Sequence, residues 1–149
     1  GPGLVAETDQ WQVFADYVRH GEFPQAPDFD WRCLGYRLEA EGKVVTISGD
    51  TVPCAGIINL AQDADLLVQC CHIRQSQVTT PLMTYFTISI LPSSGQVGSI
   101  AAAAQVKRMV LTHLSASMTP DSYEEIHRDV AQDYQGEVLI GQDLMQIDV

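Results

Sequence analysis

Lys43-Val44-Val45-Thr46-Ile47-Ser48-Gly49-Asp50-Thr51 is the stretch that decides the fold. Val44 to Ile47 are all β-branched, the composition of a strand, and Ser48-Gly49-Asp50-Thr51 stops that strand with turn residues. Just upstream, residues 34–38 supply a mate for it, the chain turning at Glu41-Gly42. Downstream, residues 56–62 read as a short helix and residues 65–68 (Asp-Leu-Leu-Val) as a buried strand. Residues 99–105 are Ala-rich and helical, with Ser94 or Gly95 near their start, and Arg108–Thr112 is another buried strand. Thr119-Pro120-Asp121 opens a helix to about Tyr134, with Thr119 as its cap and Pro120 at the first helical position. Glu137–Ile140 and residues 144–147 read as closing strands. Toward the N-terminus, Trp11–Val18 alternates as a strand does, and residues 21–30, with Pro24 and Pro27, read as a loop. Residues 81–90 fit either a strand or a helix, because a short apolar run does not separate the two. Strands alternating with helices make an α/β, layered α+β domain: a mixed sheet with flanking helices.

Bulk properties bound the function. At 149 residues, 46% of them apolar, the chain is one domain with enough material for a core. No apolar run reaches the ~18 residues of a membrane helix, so no membrane partner is expected. Eight Lys and Arg against nineteen Asp and Glu give a net charge of −11. Such a surface repels phosphate, and the expectation is that no nucleic acid binds. Cys33, Cys54, Cys70 and Cys71 form neither a zinc ribbon nor a disulfide framework, which points to a reducing cytoplasm. Gly1-Pro2-Gly3 reads as the scar of a cleaved tag, leaving residues 4–149 as the domain.

The reactive side chains fall in a pattern. His20 follows the strand ending at Val18, Asp50 the strand ending at Ile47, Cys70-Cys71-His72 the strand ending at Val68, and His113 the strand ending at Thr112. Carboxyl ends of strands are where α/β sheets gather ligand groups. Imidazole, carboxylate and thiolate are the donors that zinc uses. Taken singly, each residue has a plainer reading: a histidine at a strand end, an Asp that caps the next turn, a cysteine that packs as a small hydrophobe.

Taken in order, the segments 34–38 (Leu-Gly-Tyr-Arg-Leu), 44–51, 64–68 (Ala-Asp-Leu-Leu-Val), 110–114 (Val-Leu-Thr-His-Leu) and 136–145 resemble the C-terminal half of the metallo-β-lactamase superfamily. The likeness is to the branch of ribonuclease Z and the arylsulfatase-like hydrolases, and it covers roughly residues 11–147. It implies half of an αββα sandwich, with zinc held at one edge. By resemblance His20, Asp50 and His113 are metal ligands, Asp50 being the carboxylate that bridges two ions. Cys70 is a possible additional ligand in a mononuclear site.

The departures from the family pattern matter as much. The family's His-x-His-x-Asp-His motif is absent. Its His-Glu pair after the Ala-Asp-Leu-Leu-Val strand reads Gln69-Cys70, and a later histidine is Leu91; neither a leucine nor a neutral thiol replaces a carboxylic acid in proton transfer. No catalytic residue is assigned. Three readings follow: a truncated or degenerate domain without efficient activity as the isolated chain; the C-terminal half of an ester or phosphodiester hydrolase; or a small-ligand or protein binding module. An open sheet face predicts a homodimer through Lys43–Ile47, or a partner covering that face. His72 matches no ligand position, and His127 is expected to face solvent.

Overall fold

The hairpin expected at Glu41-Gly42 forms because both residues take left-handed backbone, φ 53° and 75°. Positive φ at both central positions gives the turn whose twist matches the flanking strands. In the computed structural model, which describes residues 2–21 and 32–149, this turn joins β3 (Cys33–Ala40) to β4 (Lys43–Ile47). The other elements are β1 (Gly3–Glu7), β2 (Trp11–Val18), α1 (Ala55–Leu60), β5 (Leu66–Cys70), α2 (Pro81–Ser89), α3 (Ser94–Ala103), β6 (Arg108–Thr112), α4 (Tyr123–Val130) and β7 (Glu137–Ile140). The loop expected at 21–30 lies, beyond Gly21, outside the described residues.

All seven strands form one sheet in the order β1-β2-β3-β4-β5-β6-β7. The first four pair antiparallel and the last four parallel. It follows that β2, β4, β5, β6 and β7 all point the same way, so their carboxyl ends share one edge. The mixed sheet with flanking helices is the α/β layered class expected.

The two faces differ. On one, Thr46, Leu67, Gln69, Met109 and Leu111 are fully buried against Ile57 of α1, Val97 and Ile100 of α3, and Ile126 and Val130 of α4. On the other, the register Tyr36↔Ile47↔Val68↔Val110↔Leu139 runs an apolar row across five strands. At its β3–β4 end Tyr36, Leu38 and Ile47 are 41%, 38% and 50% exposed. One face is a core, and the other is apolar and open to solvent at its β3–β4 end.

Three local expectations change. Residues 144–147 form no strand. The chain turns at Gln142–Met145, with Leu144 in left-handed backbone and the Met145 N–H donating to the Gln142 carbonyl. Met145 and Ile147 of the tail then line one pocket with Val68 and Val110. Residues 81–90 resolve as helix α2, since Thr80 caps it by accepting the Met83 N–H at 3.2 Å and Pro81 opens it. The helix expected from Thr119 opens as a tighter turn at Pro120–Ser122, and its α-helical part ends at Val130. The Thr119 side chain makes no capping bond. Among the described residues no helix is long and apolar enough to cross a membrane.

Candidate metal centre

At the shared carboxyl edge, three chain segments converge on one carboxylate. Past β2 the backbone bridges to the segment after β4: Arg19 and Val52 pair, the Arg19 N–H donates to Thr51 Oγ1 at 3.1 Å, and the Val52 N–H to the Arg19 carbonyl at 2.9 Å. This draws His20 over Asp50, and His20 Nε2 lies 4.0 Å from Asp50 Oδ2. His20 Nδ1 lies 2.7 Å from the Ile90 carbonyl oxygen. A carbonyl only accepts, so Nδ1 carries the ring proton and Nε2 presents its lone pair. That is the arrangement by which histidine ligands are oriented for a metal.

Asp50 stands on a turn that only glycine allows. Gly49 has φ 59°, and a Cβ there would sit 2.8 Å from the Leu34 carbonyl oxygen. His113, leaving β6, also takes left-handed backbone at φ 59°, and its Nε2 lies 3.5 Å from the same Asp50 Oδ2. A non-glycine residue in this region stores strain of about 1–3 kcal/mol and is kept there by its surroundings. With metal–ligand bonds of about 2.0–2.1 Å, neighbouring donors around a tetrahedral zinc lie about 3.3–3.4 Å apart. The donor types of His20, Asp50 and His113 suit zinc; the 3.5 Å spacing of His113 from Asp50 is close to that value and the 4.0 Å spacing of His20 is wider. Among the described residues, no group of three or more His, Cys, Asp or Glu side chains is gathered closely enough to hold a metal ion as it stands.

Cys70 is placed differently from the imidazoles. Its Sγ accepts the Thr51 N–H at 3.2 Å and donates to the Thr51 carbonyl at 3.2 Å, while its own N–H donates to Ser48 Oγ at 3.0 Å. Burial pushes its thiol up to about 11, so the sulfur is a neutral brace on the Asp50 turn. Its neighbour Gln69 is buried, with Nε2 donating to the Cys70 carbonyl and Oε1 without a hydrogen-bond partner. Leu91 is buried after α2 and carries no proton-transfer group. His127 is exposed on α4, as expected.

His72 matches no ligand position of the family pattern, yet the structure brings it against His113. Its Nδ1 lies 3.1 Å from His113 Nδ1 and 3.2 Å from the His113 carbonyl oxygen. The available signal was its position just past β5, the same strand-end rule that picked out His20 and His113. Beside His113, the open sheet face and the C-terminal tail enclose a cavity of about 490 Å³, lined by Val68, Val110, Leu114 and Met145 among others.

Comparison with known proteins finds relatives both in sequence and in fold. The chain is 32% identical over 117 residues to ribonuclease Z of Mycobacterium avium, covering 78% of this chain and 42% of that one. It is 31% identical over 108 residues to ribonuclease Z of Methanosarcina acetivorans, covering 72% and 33%. Among solved structures, the metallo-β-lactamase fold protein YhfI of Bacillus subtilis matches with a TM-score of 0.71 at 19% identity, over 94% of this chain and 49% of that one. Human tRNase Z, short form, matches with a TM-score of 0.67 at 21% identity, over 97% and 44%. No family model matches.

A mixed sheet with helices on one face and an apolar second face is one layer of a sandwich, and this chain belongs to the metallo-β-lactamase superfamily. Within it, the similarity runs to ribonuclease Z, and the chain spans about a third to a half of the length of the curated relatives it matches.

These relatives overturn one expectation. Nucleic acid was excluded on a net charge of −11, yet the similar proteins are named ribonucleases. Net charge sums every exposed carboxylate, whereas a phosphodiester meets the local field of one site, where bound cations are the largest charges.

Proposed function

We propose that this chain carries one edge of a metal-dependent hydrolase site of the phosphodiester type, in which His20, Asp50 and His113 hold zinc. The observation that supports this best is the convergence of two imidazole Nε2 atoms, 4.0 and 3.5 Å away, on one oxygen of Asp50 from segments far apart in the chain. A bound zinc ion supplies Lewis-acid polarisation of a phosphoryl oxygen. The protein's part is to hold the donors: Ile90 fixes the His20 ring, while Gly49 and Cys70 fix the Asp50 turn. The phosphodiester class, rather than a simple ester, is supported by the relatives' names.

On this reading the isolated chain hydrolyses inefficiently. Leu91 has no proton to give, and the Cys70 thiol is buried, neutral and bonded to Thr51. The exposed row of Tyr36, Leu38 and Ile47 takes a second sheet in the complete sandwich. A binding module is the second reading, favoured by the cavity beside His113; it predicts saturable ligand binding that persists in chelator.

Elemental analysis of protein purified without a metal-affinity step tests the first reading. Zinc at about one ion per chain is expected, lost in His113→Ala and in Asp50→Asn, with turnover of bis(p-nitrophenyl) phosphate near background. No zinc uptake from a millimolar excess would overturn the metal site. Rapid turnover would overturn the claim of inefficiency.

A further inference from the structure

We propose that His72 is a positioning residue for His113, holding its ring so that Nε2 stays at Asp50; the proposal rests on the reading of His113 as a ligand. The two candidate histidine ligands are supported differently. His20 Nδ1 faces a backbone carbonyl, a fixed acceptor. His113 Nδ1 faces another imidazole, which can accept or donate.

His72 is itself well anchored. Its N–H donates to the Pro92 carbonyl at 2.9 Å, its carbonyl accepts the Ser115 N–H at 3.1 Å, and its ring packs 5.6 Å from Phe86 of α2. From that anchor one nitrogen reaches both the ring and the carbonyl of His113. The contact on Nδ1 sets the tilt of the His113 ring, with the two rings edge-on at 5.1 Å, while the contact on the carbonyl is a hydrogen bond only when His72 Nδ1 carries a proton.

The proton positions follow. The His113 carbonyl can only accept, so in the metal-free protein His72 Nδ1 carries a proton and shares it with His113 Nδ1. The His113 proton is then on Nε2, toward Asp50. For Nε2 to serve as a donor it must be bare, which puts the His113 proton on Nδ1, where His72 Nδ1 is the acceptor within reach. His72 then carries its own proton on Nε2. The pair holds two ring protons in both arrangements, and each imidazole has exchanged one tautomer for the other.

Long-range ¹H–¹⁵N NMR of the histidine side chains at about pH 8, on the whole chain in EDTA and then in zinc, reads this directly. The chain has only four histidines, so the resonances are assignable by substitution. In EDTA, His72 is expected as the Nδ1–H tautomer and His113 as Nε2–H; in zinc both exchange. His72→Phe keeps the packing on Phe86 but removes the nitrogen, and zinc affinity should fall about 10–100-fold. His72→Gln, whose amide both donates and accepts, should recover most of it. Circular dichroism confirms that each variant folds.

Zinc binding to His72→Phe within twofold of the parent protein, or a His72 that keeps its Nδ1–H in zinc, would overturn the proposal. If the parent protein binds no zinc, the ligand reading fails by itself. The EDTA spectrum then decides the positioning role: one His113 tautomer in the parent and a mixture in His72→Phe supports it, and a mixture in the parent overturns it.

Discussion

Cys70 sits directly behind Asp50, accepting the Thr51 N–H and donating to the Thr51 carbonyl, so one buried sulfur satisfies both backbone groups of the residue next to the carboxylate. Burial raises its thiol from 9.0 to about 11, and burial also raises Cys71. A group whose pKa is higher folded than unfolded stabilises the fold fully below its unfolded pKa, and that stabilisation is lost as pH rises through the folded value. The urea midpoint is therefore expected to fall between about pH 9 and pH 11. Cys70→Ser keeps a donor and acceptor that does not titrate, and it should flatten part of that fall; an unchanged slope would show that Cys70 is not its source. Much of the site was legible at this scale. His20, Asp50 and His113 were found from their places after strands, because topology brings such ends to one edge. His72 obeyed the same rule and was passed over because the family pattern gives it no role. The bracing role of Cys70 was not legible, since it depends on which way a strand-end side chain turns.

Among the elements, α1 bears most directly on the site. Gly56 in its first turn lies so close to the end of β2 that an added Cβ would stand 1.8 Å from the Tyr17 carbonyl oxygen. Backbone cannot yield as a side-chain tip can, so Gly56→Ala must push β2 away, three residues before His20. A loss of about 3 kcal/mol is expected from urea unfolding, with weaker zinc uptake. Gly98→Ala in α3 is the control: its Cβ would meet the Val130 carbonyl oxygen at 2.5 Å, behind the sheet. It should cost comparable stability yet bind zinc normally where folded. Equal zinc affinity in the two variants would separate α1 from the placement of His20. Strands β2 to β7 were readable here because strand-forming runs and turn residues are local signals, whereas β1 at Gly3–Glu7 carries too few of them. Helix α2 needed its Thr80 cap to be recognised, and at 144–147 the chain turns at Leu144 instead of forming a strand.

For the whole molecule, the asymmetry of the sheet makes a quantitative forecast. Leu67 on the helix-covered face is fully buried, and Leu67→Ala should cost about 2–5 kcal/mol. Ile47, in the neighbouring strand but on the other face, is 50% exposed. Ile47→Lys should change stability by no more than about 0.5 kcal/mol, while lowering the binding of a hydrophobic dye. A cost above about 2 kcal/mol for Ile47→Lys would mean that this face is covered in solution.

The amino-acid sequence by itself determined neither strand β1 at Gly3–Glu7 nor the loss of a strand at 144–147, but it did determine strands β2 to β7, most of the helices, the superfamily resemblance and three of the residues at the shared edge. Those features rest on short-range chemistry: β-branched runs, turn residues and the order of motifs. The tertiary structure decided which strand ends meet, that one carboxylate oxygen faces two imidazoles, that Cys70 turns toward Thr51, and that His72 reaches His113. It also decided that one face of the sheet is left open. These are relations between segments dozens of residues apart, fixed by sheet register and helix packing, and no local pattern along the chain encodes them.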